Sequence, residues 1–130
     1  MASDDSNFCI IHKTKGRLPS LPFVQMKDAI LGADYELSLV SIGSVASRKL
    51  NRTYRSIDKA TDILSFPLDK TSGEIFINLK EAEKERHAFG RNLENFIGFL
   101  FIHGLVHLKG YEHGSRMEEL EATFRKQFGI

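Results

Sequence analysis

An internal disulfide is closed to this chain, because Cys9 is its single cysteine and one thiol cannot bridge to itself. A cysteine-rich structural metal site is excluded for the same reason. The longest apolar run, residues 96–102, falls far short of the roughly 18 residues needed to span a bilayer. No excess of either charge exists either: 18 Lys and Arg face 17 Asp and Glu, for a formal net charge of +1. Any contact with nucleic acid must therefore come from a local patch. The opening Met-Ala-Ser-Asp-Asp-Ser-Asn is acidic and polar where a secretory signal is basic and then apolar, so the expected compartment is the cytosol. Repeats and low-complexity segments are absent. At 130 residues with 42% apolar side chains, the expectation is one domain spanning 1–130 around one core.

What the chain does have is His103-Gly-Leu-Val-His107-Leu-Lys-Gly110-Tyr-Glu-His113. Two histidines four apart on a helix stack on one face and can share a metal ion. Gly110 can enter a left-handed turn at little cost and swing the chain back so that His113 meets them. Three imidazoles with an open fourth position suit a catalytic zinc rather than a closed structural one. The spacing matches that of metzincin proteases except that Gly104 stands where they carry the general-base glutamate. His12 and His87 read as ordinary surface or core residues.

Periodicity gives the elements. A strand over 8–13 and a turn at Lys15-Gly16 lead to a helix with Ser20 as N-cap, Pro22 in its first turn, and Phe23, Met26, Ala29 and Ile30 inward; Gly32 closes it. A second strand covers 35–42. A helix over 44–55 turns Ala46, Leu50 and Tyr54 to the core. A third strand, 61–67, is ended or confined to an edge by Pro67, and 69–73 turns it, with the bend near Ser72-Gly73, into a fourth, 74–79. A charged helix follows over 80–89, with Leu79, Ala82 and Phe89 inward and Gly90 as its stop. Asn92 caps a helix that is apolar on nearly all sides and therefore buried at the centre; it carries His103 and His107, shielded there from bulk water. The last helix, 115–128, faces Met117, Leu120, Thr123, Phe124 and Phe128 inward. The fold class is α+β: a small four-stranded mixed sheet packed against about five helices, with strand order and oligomeric state left open.

On the 44–55 helix Arg48, Arg52, Arg55 and, if the turn continues, Lys59 recur four, three and four apart. They form a cationic stripe able to hold RNA phosphates. An ordinary solvated face accounts equally well for Arg48 and Lys59.

Three blocks resemble one known family. Leu50-Asn-Arg-Thr-Tyr-Arg55 with Thr61-Asp-Ile-Leu-Ser-Phe-Pro67, then Gly73-Glu-Ile75, then His103 to His113 resemble, in order, the L-N-x-x-Y-R, T-D-V-L-S-F-P, G-D-I and H-G-x-L-H-L-x-G-Y-D-H blocks of the YbeY family of bacterial single-strand-specific metallo-endoribonucleases. Ile63, Glu74, Glu112 and Val106 are conservative departures. The resemblance implies one zinc per chain at His103, His107 and His113 and a functional arginine at Arg55; Ser65 is taken only as a polar group lining the site. It further implies cleavage of single-stranded ribosomal RNA in small-subunit 3′-end maturation and ribosome quality control. The partners would be ribosomal RNA and the ribosome or its small subunit, with no membrane. Two other readings stand beside it: a metal-dependent peptide or amide hydrolase, and a non-catalytic ribosome-binding module in which the metal is structural.

Overall fold

The computed structural model describes residues 7–130. The loose segment expected over 1–7 lies outside the described residues except for Asn7, whose side-chain amide donates to the Ala33 carbonyl at 3.0 Å. Strands β1 (Phe8–His12), β2 (Glu36–Ser41), β3 (Ile63–Asp69) and β4 (Ser72–Ile77) form one sheet in the order β1-β2-β4-β3. The first two contacts are parallel and the last is an antiparallel hairpin. Pro67 therefore lies on an edge strand, where a missing N–H costs no ladder bond, and the register shifts between Pro67 and Asp69. The hairpin bends at Lys70-Thr71, slightly ahead of the expected Ser72-Gly73. Asp69 Oδ1 accepts from the Thr71 backbone N–H at 2.8 Å and from the Ser72 hydroxyl at 2.9 Å, and these bonds, led by that from the Thr71 N–H, hold its carboxyl below the usual carboxylate range.

The five helices are α1 (Phe23–Leu31), α2 (Ser44–Arg55), α3 (Leu79–Glu85), α4 (Leu93–Leu108) and α5 (Ser115–Phe128). The α+β class with a four-stranded mixed sheet and five helices is as the pattern predicted. Among the described residues no helix is long and apolar enough to cross a membrane.

α4 is the centre. The Asn92 side chain caps it by accepting from the Asn95 N–H at 2.8 Å. Phe96, Ile97, Phe101, Ile102 and Leu105 are 0% exposed, and each such burial is worth roughly 1.5–3 kcal/mol of transfer free energy. The Phe101 ring meets Phe23 of α1 edge to face at 4.9 Å. The backbone carrying His103 and His107 is thus anchored by the core itself.

Several inward faces differ from expectation because polar groups found partners inside. α1 starts after Pro22 without a side-chain cap, so Ser20 is not its N-cap. Ala29 is exposed, while Lys27 is buried with its ammonium donating to the carbonyls of Gly32, Ala33 and Tyr35 at 3.2, 3.1 and 2.8 Å. On α2 it is Ser47 and Asn51 that are buried, not Ala46 or Tyr54. Their side chains donate to the carbonyls of Thr61 and Lys59 at 2.8 and 2.9 Å, so α2 clasps the 56–61 loop by hydrogen bonds rather than by apolar packing. The charged helix ends at Glu85 and tightens into a 3₁₀ turn, Arg86–Phe89. That change of pitch leaves Phe89 half exposed instead of inward.

Candidate metal centre

Three imidazoles come together where α4 ends. His103 and His107 lie one turn apart, and Gly110, at φ +111°, takes the backbone into the conformation the turn needs. The Gly110 N–H returns to the His107 carbonyl at 3.0 Å. His113 then folds back with its ring centroid 5.3 Å from that of His103 and 5.5 Å from that of His107.

The protonation pattern of the rings follows from their neighbours. His103 Nδ1 is 3.1 Å from Glu121 Oε1, and His107 Nδ1 is 2.9 Å from the Tyr111 carbonyl oxygen. Carboxylate and carbonyl oxygens only accept, so Nδ1 of both neutral rings carries the proton and Nε2 keeps its lone pair. That is the tautomer that coordination through Nε2 requires, with the ring oriented through its other nitrogen. The donors fit a borderline-soft cation such as zinc. The spacing is looser than a loaded site: imidazoles on one tetrahedral ion, with nitrogens at roughly 2.0–2.1 Å, bring their centroids to about 5 Å, whereas His103 and His107 are 6.3 Å apart. Among the described residues no group of three His, Cys, Asp or Glu is already closed on a metal-holding geometry. His107 and His113 are exposed. Their exposure corrects the expectation of a shielded site, since only His103 reaches back into the buried part of α4.

The histidines open onto a cleft of about 550 Å³ lined also by Tyr54, Arg55, Asp62 and Ser65. Arg55, at the last turn of α2, is exposed and has no ion pair or hydrogen bond among the described residues. Ser65 lines the cleft from β3 and donates to the Gly104 carbonyl at 3.4 Å. The stripe does not continue with Arg55. Arg48 forms a fork on Asp58, at 2.8 and 3.0 Å, and Arg52 reaches the same carboxylate at 3.4 Å. Asp58 is held below, and Arg48 above, its usual range by that bond. The helix stops at Arg55, with Ser56 left-handed at φ +58°, so Lys59 is off the stripe. None of Arg48, Arg52 and Lys59 lines the cleft.

Two acidic residues escaped the sequence reading. Glu121 is 6% exposed and interrupts the apolar stripe of α5 at the position between Met117 and Phe124, while Thr123, expected inward, is exposed. A glutamate on a core stripe was the available signal. Asp62 is the other, with burial, followed by repulsion from Glu85, pushing its carboxyl above the usual range.

Gly104 faces neither cleft nor solvent. A Cβ built there would stand 2.9 Å from Ser65 Oγ, 3.0 Å from Ile75 Cδ1 and 3.1 Å from Ile63 Cδ1. The missing side chain lets α4 lie directly on β3 and β4.

Residues 20–129 match the family described as Endoribonuclease YbeY. Among curated relatives, the Endoribonuclease YbeY of Heliobacterium modesticaldum is 36% identical over 119 residues, covering 75% of this chain and 72% of the relative. That of Clostridium botulinum (strain Hall) is 34% identical over 128 residues, covering 78% and 75%. The solution structure of TM1509 from Thermotoga maritima superposes with a TM-score of 0.65 over 93% of this chain and 88% of that one, at 23% identity, and shares its fold.

Proposed function

Because the chain belongs to the YbeY endoribonuclease family, we propose that it is a zinc-dependent endoribonuclease cutting single-stranded ribosomal RNA. Its substrate is the 3′ end of small-subunit RNA, its setting the cytosol and the ribosome, and its wider role ribosome quality control. Endoribonuclease action in ribosomal RNA processing is the family's; the metal, the substrate site and the setting are our reading.

The observation that carries it is a pair of histidines whose Nδ1 atoms lie 3.1 and 2.9 Å from acceptor oxygens, which leaves Nε2 for a metal, on one cleft with Arg55. His103 and His107 would hold one zinc through Nε2, with His113 as the third ligand. When bound, zinc acts as a Lewis acid toward a phosphoryl oxygen and makes water acidic enough to ionise near neutral pH. Glu121 and the Tyr111 carbonyl keep two of the rings aimed. Arg55 offers a planar, two-pronged donor to the charge developing on phosphorus. Asp62, raised by burial and lining the same cleft, is the carboxyl available to take or return a proton. Arg48, Arg52 and Lys59 are peripheral phosphate contacts at most, since Asp58 already neutralises part of the first two.

A peptidase would need a base between the two helical histidines, and the space at Gly104 is filled by Ser65, Ile63 and Ile75. The test is single-turnover cleavage of a single-stranded RNA against its duplex, with chelator and with zinc restored. Arg55→Lys is expected to keep fold and zinc while cutting far more slowly. Cleavage indifferent to chelator, or equal cutting of the duplex, would overturn the reading. Near-normal rates for Arg55→Lys would remove Arg55 from the mechanism.

A further inference from the structure

A second groove meets the cleft at the histidines. It has a volume of about 510 Å³, lies between the 3₁₀ turn, α4 and α5, and shares His103, His113, Asp62 and Ile63 with the first. Its floor is aromatic: Phe89 touches Phe96 and Phe99 at centroid distances of 5.1 and 5.2 Å. Phe89 is the odd member, 50% exposed and held there by the 3₁₀ turn and by Gly90 at φ +62°. Two guanidiniums sit on one ring of the floor, Arg91 at 4.5 Å and Arg125 at 5.2 Å from the Phe99 centroid, and Arg125 lines the groove itself. They repel each other, and burial and then Arg125 lower the Arg91 pKa. Glu121 lies 3.8 Å from Arg125.

We propose that this groove is a nucleotide subsite, in which one unstacked base of the RNA lies on the exposed face of Phe89 and a flanking phosphate reaches Arg125. The strand then crosses the histidine cluster, with Arg55 on one side and Phe89 on the other. The proposal rests on the RNA-cutting reading and adds where the substrate continues. A base suits the groove better than a phosphate alone. Asp62 and Glu118 line it beside the aromatics; they repel an anion but accept from the N–H groups of a base. Every base has a π face for Phe89, and stacking of this kind changes affinity by about tenfold or more per base. A base paired in a duplex cannot leave its stack without loss, so the subsite itself selects single strands.

The experiment uses the full-length protein as purified and a short 2′-O-methylated single strand, followed by fluorescence anisotropy, with one abasic position moved along the strand. Wild type is expected to lose about tenfold in affinity when the abasic position enters the subsite, and only there. Phe89→Leu, which keeps an apolar side chain on the floor but removes the ring, should lose the same factor on the intact strand and nothing further on that abasic one. Phe89→Trp should bind at least as tightly as wild type. In single-turnover cleavage of unmodified RNA, Phe89→Leu should raise the half-saturating concentration by a similar factor at an unchanged rate. Wild-type affinity in Phe89→Leu, or no position-specific abasic effect, overturns the subsite and leaves the RNA-cutting reading standing. Failure of wild type to bind any single strand overturns both.

Discussion

Replacing Glu121 tests whether the buried carboxylate orients a metal ligand. Its Oε1 accepts from His103 Nδ1 at 3.1 Å and lies 3.8 Å from Arg125; the side chain is 7% exposed. Glu121→Gln keeps the shape and an acceptor but removes the charge. Hydrogen bonds to a charged group contribute about 1.5–3 kcal/mol against about 0.5–1.5 for neutral pairs. The change is then on the order of 1–1.5 kcal/mol, or roughly tenfold in zinc affinity. Glu121→Leu removes the acceptor altogether, freeing His103 to take the other tautomer, and should cost up to about a hundredfold. Competition for zinc against a chromophoric chelator at fixed pH measures both, with circular dichroism as a check of folding. Wild-type affinity in folded Glu121→Leu would show that the contact does not act on the metal.

Other outcomes follow from the same geometry. His107→Ala should drop bound metal from one ion per chain to none after gel filtration, because two imidazoles hold zinc poorly against water; stoichiometric zinc in that variant would refute the ligand set. Burial holds the Asp62 carboxyl above its ordinary range, so its share of stability is present below that range and is lost as pH rises through the raised value. Asp62→Asn should therefore raise the melting temperature of metal-free protein more at about pH 8 than at about pH 4, and an equal effect at both would contradict the assignment. Gly104→Ala places a Cβ within 2.9–3.1 Å of Ser65, Ile75 and Ile63, and overpacking of this kind costs about 1–3 kcal/mol; an unshifted urea midpoint would mean that α4 can lift off the sheet freely.

How legible the fold was depended on what each signal measures. α5 ran over 115–128, and α2 over 44–55, as periodicity and turn residues implied. Apolar periodicity reports apolar packing, and α2 attaches by Ser47 and Asn51 bonding loop carbonyls, an attachment that leaves no apolar stripe to read. Lys27 was missed for a related reason: its buried ammonium is matched by three carbonyls supplied by a turn, which only the folded backbone assembles. Strand order depends on contacts between distant segments. At the site, His103, His107 and His113 were legible because their offsets are local, and the structure places their rings side by side. The stripe reading treated Arg48 and Arg52 as free charges, yet Asp58, six residues beyond Arg52, claims both.

Gly104 links packing to chemistry. On α4 it follows His103 directly, so it points about 100° around the helix from that side chain, onto β3 and β4. In the protease spacing a glutamate occupies this position and must have room beside the metal. Here Ser65 Oγ, Ile75 and Ile63 occupy the space into which even a methyl group would project, and the same β3 continues as a wall of the cleft through Ser65 and Phe66. The close approach of helix and sheet that builds the cleft thus leaves no space for a glutamate at this position. Under the proposed reading, proton transfer falls to Asp62 and charge on the substrate to Arg55, both of which line the cleft. The distinction from a peptidase lies in the seating of α4 on the sheet as well as in one missing carboxylate, which is why restoring a glutamate at 104 should disturb the fold before it could add a base.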